Sequence, residues 1–425
     1  MQQAEKDRNP WLWVPTLYFA QGIPYVIVMT VSVIMYKRFG ISNTDIALYT
    51  SWLYVPLIIK PFWGPVVDLL STKRWWVVSM QLLIGAGLAG IALLIPMPFY
   101  FQATLIVFWL MAFSSATHDI AADNFYMLAL SDDKQSFFMR VRGAFYRLAM
   151  ISGQGFLIIF AGAMERVTGN IRFSWSITFF VIAGVFILLM LYHRFALPKV
   201  PADKLHKSVN PNKKLGDFGG TFKSFFQKDK IVLSLAFLLV YRLGEAMLIK
   251  IASPFLLDPV ELGGLGLSTE QVGLAYGTVG IIALVLGGIL GGFAISMNGL
   301  KFWLIPMALF ITLPNLAYVY MAFFQPVDYL TVISCVAIGQ FGYGFGFAAF
   351  LMYMIYMSEG EFKTAYYTLA TGFIALGMML PGMTAGWLQE QLGYKMFFVI
   401  VVLIAIPTIW IAGAIKLDPS FGKKK

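Results

Sequence analysis

PKVPADKLHKSVNPNKKLGDFGGTFKSFFQKDK, residues 198–230, is the one long hydrophilic stretch of the chain, with eight lysines in 199–230. Its lysines, prolines and glycines are the composition of a solvated linker, not of a packed element. On both sides the sequence turns apolar, in runs of ~18 or more residues with few charges, each long enough to cross the ~30 Å hydrocarbon layer as a helix. The runs predict six spans before the linker, over about 11–36, 44–68, 75–97, 100–130, 140–163 and 174–196. Six more follow over about 231–256, 269–296, 302–324, 328–357, 363–388 and 394–416. The expected fold is an all-α membrane protein of twelve transmembrane helices in two six-helix bundles, 1–197 and 231–425, joined by a cytoplasmic basic linker, 198–230.

Composition excludes the soluble classes. Of 425 residues, 59% are hydrophobic and 12% charged, against roughly half and a quarter in soluble domains. The ~10-residue alternating segments of a membrane β-barrel are absent. The first span is not read as a cleaved signal peptide, because its apolar stretch is too long and Gln21, Gly22 and Pro24 interrupt it. With the N-terminus inside, 22 of the 31 basic residues fall in inside segments. Five fall outside (Lys37, Arg38, Arg166, Arg172, Lys395) and four within spans (Lys60, Arg147, Arg242, Lys250). That bias predicts both termini cytoplasmic. It also explains the net charge of +10 as a topology signal, so no nucleic-acid partner is expected. The single cysteine, Cys335, rules out an intrachain disulfide. No P-loop or zinc-hydrolase pattern is present, and neither cofactor nor metal is expected.

The halves resemble each other. Gly40-Ile41-Ser42 opens the second span and Gly266-Leu267-Ser268 the eighth. Lys73-Arg74-Trp75-Trp76 and Leu300-Lys301-Phe302-Trp303 follow at nearly the same offset, and Ala144-Phe-Tyr146-Arg-Leu148 matches Ala365-Tyr-Tyr367-Thr-Leu369. Parallel repeats of six helices around a central cavity are the architecture of the major facilitator superfamily.

Ionisable groups inside spans are costly, so each is a functional candidate. Asp119 and Asp123 lie four apart on one helix face. Arg147 in the fifth span is expected at matching depth, paired with one of them. Arg242 and Glu245, three apart in the seventh span, are neighbours on a helix surface, and Lys250 lies further toward the outside. An ion-pair network that only fixes one conformation would use the same acids with Arg147. Lys60 has a snorkelling alternative, and His118 weighs more as a hydrogen-bonded packing residue than as a proton carrier. Tyr146, with Tyr25 and Tyr241, offers an aromatic face for stacking on a solute ring. Gly64-Pro-Val-Val-Asp68 followed by Lys73-Arg74 approximates a cytoplasmic gate motif. Asp68 would there pair with a basic group at a helix end, and Gly64 would permit close helix approach. Glycine clusters, such as Gly287, Gly288, Gly291 and Gly292, are explained by helix packing. Gly342-Tyr-Gly344-Phe-Gly346 follows no strand and is not read as a dinucleotide loop.

Tyr241-Arg242-Leu243-Gly244-Glu245-Ala246, then Ser253-Pro254-Phe255-Leu256-Leu257 and Gly266-Leu267-Ser268, resembles the seventh and eighth spans of AmpG-type muropeptide permeases. Gly22-Ile-Pro24, Trp63-Gly64-Pro65 with Asp68, Asp119-Ile-Ala-Ala-Asp123, Tyr146-Arg147-Leu148 and Gly386-Trp387-Leu388 extend the resemblance over nearly the whole chain. It implies proton-coupled import of N-acetylglucosamine-anhydro-N-acetylmuramic acid, with or without peptide, across a bacterial inner membrane, and no enzymatic activity. Two positions depart: Glu245 stands where the family usually has Asp, and Lys250 where a small or uncharged residue is common. The expected partners are the solute, an amino-sugar glycan or muropeptide, together with protons and the lipid bilayer, with the protein a monomer. The alternatives are a transporter of the same fold for another solute such as an oligosaccharide, an exporter, and a membrane-embedded enzyme or sensor.

Overall fold

A computed structural model of the chain describes residues 8–203, 211–360, 362–404 and 406–424; the side chains of Pro65, Asp68, Leu69 and 211–218 lie outside the described set. Every regular element among the described residues is a helix. In chain order these are α1 (Pro10–Arg38), α2 (43–70), α3 (Lys73–Leu94), α4 (Tyr100–Ala129), α5 (Asp132–Thr168) and α6 (Ile171–Ala196). Then come α7 (Ile231–Leu257), α8 (Thr269–Asn298), α9 (Leu300–Phe324), α10 (Tyr329–Met357), α11 (363–392) and α12 (394–403 and Ile406–Ala414). A shorter helix, Pro211–Phe226, lies in the linker.

Ten stretches in the described set are long and apolar enough to cross a membrane. The last, Lys363–Ala414, runs 52 residues, about twice one crossing. Gly393 divides it into α11 and α12 with φ 70° and ψ 167°, a conformation that favours glycine. With α2, bent by a tight turn at Trp52–Tyr54, these make the twelve spans that the apolar runs predict.

The repeated Gly-Ile/Leu-Ser is a helix start. Gly40 and Gly266 both take positive φ, 80° and 65°. Two residues on, Ser42 accepts the Asp45 backbone N–H, and Ser268 accepts that of Gln271. Each serine thus satisfies an orphan donor of the helix it opens. The internal repeat is therefore a conserved piece of loop geometry between the halves, at the entry to α2 and to α8.

The chain forms two compact units, 1–35 with 62–211, and 36–61 with 212–425. In the first, Trp13, Tyr18, Phe125, Tyr126 and Phe138 are buried in one cluster. In the second, the glycine-rich stretch of α10 is a packing surface on two sides. A Cβ at Gly344 would stand 2.0 Å from the Leu284 carbonyl oxygen of α8. One at Gly346 would stand 2.6 Å from the Met307 carbonyl oxygen of α9. Backbone meets backbone at these points, which only glycine allows. At the end of α10, Lys228 Nζ donates to the carbonyl oxygens of Met357 and Glu359. Burial pulls the Lys228 ammonium below the usual lysine range, and the Glu359 charge opposes that shift.

Candidate functional site

In the first unit, α4 and α5 do not pair as the spacing predicts. Asp123 Oδ1 lies 3.1 Å from Arg142 Nη2, and the Tyr18 hydroxyl donates to Asp123 Oδ1 at 3.1 Å. The Arg142 guanidinium also sits over the Tyr18 ring, 4.6 Å from its centroid. Arg147 is exposed and makes no ion pair or hydrogen bond among the described residues. The reason is register. The fifth span was expected to begin at 140, but α5 begins at Asp132. Arg147 therefore stands roughly 22 Å along the helix at ~1.5 Å per residue, and it is exposed while its neighbour Tyr146 is the residue near Asp119 and Asp123. Arg142, five residues earlier, reaches Asp123. Asp119 is half-buried one turn before Asp123. Tyr146 is half-buried where α1 passes α5: a Cβ at Gly22 would lie 2.7 Å from Ala149 Cβ and 3.0 Å from the Tyr146 carbonyl oxygen.

His118 belongs to a buried chain of hydrogen bonds. Its Nε2 lies 3.0 Å from Gln81 Nε2, Gln81 Oε1 lies 2.9 Å from His193 Nδ1, and His193 Nε2 lies 3.0 Å from Thr16 Oγ1. An amide nitrogen only donates and an amide oxygen only accepts, so His118 Nε2 accepts and His193 Nδ1 donates. An amide does not hand a proton along such a chain, so the chain is a brace across α1, α3, α4 and α6.

The gate-motif residues divide. A Cβ at Gly64 would meet nothing within 4 Å, so no close helix approach depends on it. The Asp68 side chain lies outside the described residues. The acid that engages the start of α3 is Asp203, whose carboxylate accepts the backbone N–H groups of Lys73 at 2.7 Å and Arg74 at 3.0 Å. The Arg74 guanidinium donates to the carbonyl oxygens of Leu197 and Arg194, closing the end of α6.

In the second unit α7 is broken. Its first helix runs Ile231–Val240, its second begins at Leu243, and Arg242 is the cap between them, with φ −110° and ψ 15°. Glu245 thus lies in the first turn of a half-helix that starts inside the membrane, not beside Arg242 on one continuous surface. Arg242 is buried; its guanidinium donates to the Tyr343 hydroxyl and lies 4.8 Å from the Phe347 ring centroid. Glu245 is 3% exposed, and neither carboxylate oxygen accepts a hydrogen bond among the described residues. Asn315 and Tyr318 of α9 are buried beside it with Asn315 Oδ1 and the Tyr318 hydroxyl unpartnered. Tyr241 is part of the core, its hydroxyl donating to the Gly346 carbonyl oxygen and its ring stacked on Phe350. It is not a sugar platform.

Lys250, one turn further along α7, is 1% exposed, and its Nζ donates to Thr50 Oγ1 at 2.8 Å. No carboxylate lies within ion-pair distance of it among the described residues. Lys60 is half-buried in α2, followed directly by Pro61.

Sequence reasoning missed Asn315, Tyr318 and Tyr343 around the α7 break. The available signal was a lone amide after Pro314 in an otherwise apolar span. It also missed a polar cluster where residues 36–61 pack in the second unit. There Asn43 Nδ2 donates to Gln389 Oε1 at 2.6 Å and to the Tyr394 hydroxyl at 2.9 Å. Thr44 Oγ1 donates to Glu390, and Lys37 pairs with Asp258. These residues sit at helix ends, where polar side chains are the rule, and nothing in their spacing marks them.

The family model described as Major Facilitator Superfamily matches residues 16–380. The chain is 25% identical over 405 residues to the putative transporter AmpG 4 of Rickettsia conorii, covering 93% of this chain and 94% of that one. It is 23% identical over 404 residues to the anhydromuropeptide permease of Escherichia coli, covering 92% of this chain and 76% of that protein. Among solved structures it is similar to a D-xylose-proton symporter, with TM-score 0.74 and 11% identity over 98% of this chain and 99% of that one. It is also similar to the nucleoside transporter NupG, with TM-score 0.71 and 14% identity over 96% and 98%. At such identities the structural likeness is one of fold.

Proposed function

Because the chain belongs to the major facilitator superfamily, we propose that this multi-pass secondary transporter imports anhydro-muropeptide, with or without its stem peptide, in symport with protons. The names of its relatives and the seventh-span motif support the solute. The charge bias of the loops supports placement in a bacterial inner membrane with both termini cytoplasmic. The functional halves are 1–197 and 231–425, and transport follows alternating access.

The observation that carries the reading is a pair of incomplete charged groups inside spans. Arg147 is exposed and without a partner among the described residues, and an arginine cannot be left facing hydrocarbon. It faces the water-filled path and binds a carboxylate of the solute, with Tyr146 beside it. Glu245 is buried close to Arg242 and Asn315, yet neither of its oxygens accepts a well-formed hydrogen bond among the described residues, and a buried charge held so weakly is costly. In this conformation it carries the coupled proton. Losing that proton gives Arg242 an anion to pair with, and that difference between states links proton to solute. Asp119 and the Asp123–Arg142 pair tune the first unit, and Lys60 lies along the pathway. Gly64, Asp68, Lys73 and Arg74 form the cytoplasmic gate.

Lys250 favours a second reading at the level of substrate. A buried ammonium without a carboxylate suits an additional anionic group, so another acidic amino-sugar oligosaccharide is the runner-up. Counterflow in proteoliposomes separates the two. Preloaded anhydro-disaccharide is expected to drive uptake of labelled anhydro-disaccharide, whereas drive by another acidic amino-sugar oligosaccharide in its place would favour the runner-up. Exchange with neutral sugars alone would overturn both.

A further inference from the structure

We propose that Asn315 of α9 is the positioning residue for the coupled proton: its side-chain amide donates to Glu245 when that carboxyl is ionised, and turns over to accept from it when it is protonated. The inference rests on the assignment of the proton to Glu245. Two broken spans meet here. α7 breaks at Arg242, three residues before Glu245. α9 breaks in the tight turn Leu313–Asn315, which carries Pro314. Interrupted spans at membrane depth are where transporters build their ion sites.

Five buried polar atoms at this meeting point have no hydrogen-bond partner among the described residues: Arg242 Nε, both Glu245 oxygens, Asn315 Oδ1 and the Tyr318 hydroxyl. The titratable neighbours of Glu245 are Arg242 on α7, Tyr276 on α8 and Tyr318 on α9, with Tyr343 and Cys335 of α10 beside the two tyrosines. An asparagine that opens a helix ordinarily caps it with its side-chain oxygen. Asn315 precedes the helix Leu316–Phe324 yet makes no such cap, and its Nδ2 donates to the Ile311 carbonyl oxygen at 3.3 Å. The backbone therefore has no use for Oδ1, although Asn315 is 3% exposed and lies beside Glu245.

An ionised carboxylate only accepts, whereas a protonated one also donates. An amide has a donor edge and an acceptor edge of nearly one shape, so half a turn of the amide serves either state without repacking. Arg242 cannot do this, because a guanidinium only donates. The Tyr318 hydroxyl can, and is the competing acceptor. The proton itself stays on the Glu245 carboxyl, and the amide holds the acid in place.

The test is difference infrared spectroscopy of the full chain in proteoliposomes across a pH titration. The carboxylic-acid carbonyl band that is missing in Glu245→Gln belongs to Glu245. In Asn315→Leu that band is expected to move to higher frequency, because the acid O–H has lost its acceptor, and in Tyr318→Phe it is expected to stay. A second measurement needs no change at Asn315. In the wild-type chain carrying ¹³C-labelled asparagine, an amide carbonyl band is expected to shift in step with the Glu245 band, and to be still in Glu245→Gln. A Glu245 band that stays in place in Asn315→Leu, or moves in Tyr318→Phe instead, would overturn this inference alone, as would a labelled amide band that never shifts. Absence of any Glu245 acid band in the wild-type chain would overturn the proton assignment and the inference together.

Discussion

Lys37 Nζ lies 2.6 Å from Asp258 Oδ1, an ion pair whose side chains are only 13% and 10% exposed. Lys37 lies in the last turn of α1, and Asp258 caps the end of α7. The Tyr394 hydroxyl donates to the other carboxylate oxygen, and Lys37 also donates to Asn43 Oδ1 at 2.8 Å. A nearly buried pair with its remaining lone pairs satisfied is the arrangement in which removing one partner is costly.

Alternating access between 1–197 and 231–425 requires this cluster to open during transport, which is testable. Cysteines at Thr44 and Glu390, bridged by a short bis-methanethiosulfonate, are expected to stop uptake, and reduction is expected to restore it. The native Cys335 is buried and does not compete. Uptake that continues in the bridged protein would show that the contact is static. Lys37→Gln should weaken the latched state by about 2 kcal/mol, after allowance for partial exposure.

Gln81→Leu tests the brace. It removes the group that satisfies both His118 and His193. Two buried imidazole nitrogens would then lose partners, at a cost of about 2–5 kcal/mol. The measurement is thermal unfolding in detergent, with uptake normalised to folded protein. A lowered midpoint with unchanged proton dependence is expected. Unchanged stability with lost proton dependence would instead make His118 the carrier.

The fold was legible because the membrane imposes it. Apolar runs of bilayer length fix the spans, and basic loops bias their orientation. The Gly-Ser starts of α2 and α8 recur because loop geometry demands them. The pairing of charges was less legible. It depends on helix register and face: α5 starts eight residues before the expected 140, and Arg142 meets Asp123 where Arg147 was expected to meet Asp119 or Asp123. The α7 break was also invisible, because Tyr241-Arg242 carries neither proline nor glycine. At the break Arg242 is held by Tyr343 and Phe347.

Glycine packing gives a paired prediction. Gly344→Ala places a methyl group 2.0 Å from the Leu284 carbonyl oxygen and should destabilise by about 2 kcal/mol or more. Gly90→Ala, with nothing within 4 Å of the new Cβ, should be neutral or stabilising by up to ~1 kcal/mol. Unfolding midpoints of the two variants check the difference.

Arg147→Ala should raise the KM for an anionic solute by roughly 10- to 100-fold, the typical worth of hydrogen bonds to a charged group. Folding should be unaffected, since Arg147 makes no hydrogen bond or ion pair among the described residues. Arg147→Lys keeps the charge but loses the planar fork, and should fall between. The check is concentration-dependent uptake by the three proteins.

The central claim is proton-coupled uptake through Glu245, and uptake of labelled anhydro-disaccharide into proteoliposomes, with and without an imposed pH gradient, tests it most directly. The wild-type protein is expected to accumulate solute only with the gradient. The Glu245→Gln protein should exchange solute in counterflow yet fail to accumulate it. Gradient-driven accumulation that survives in Glu245→Gln would contradict the account.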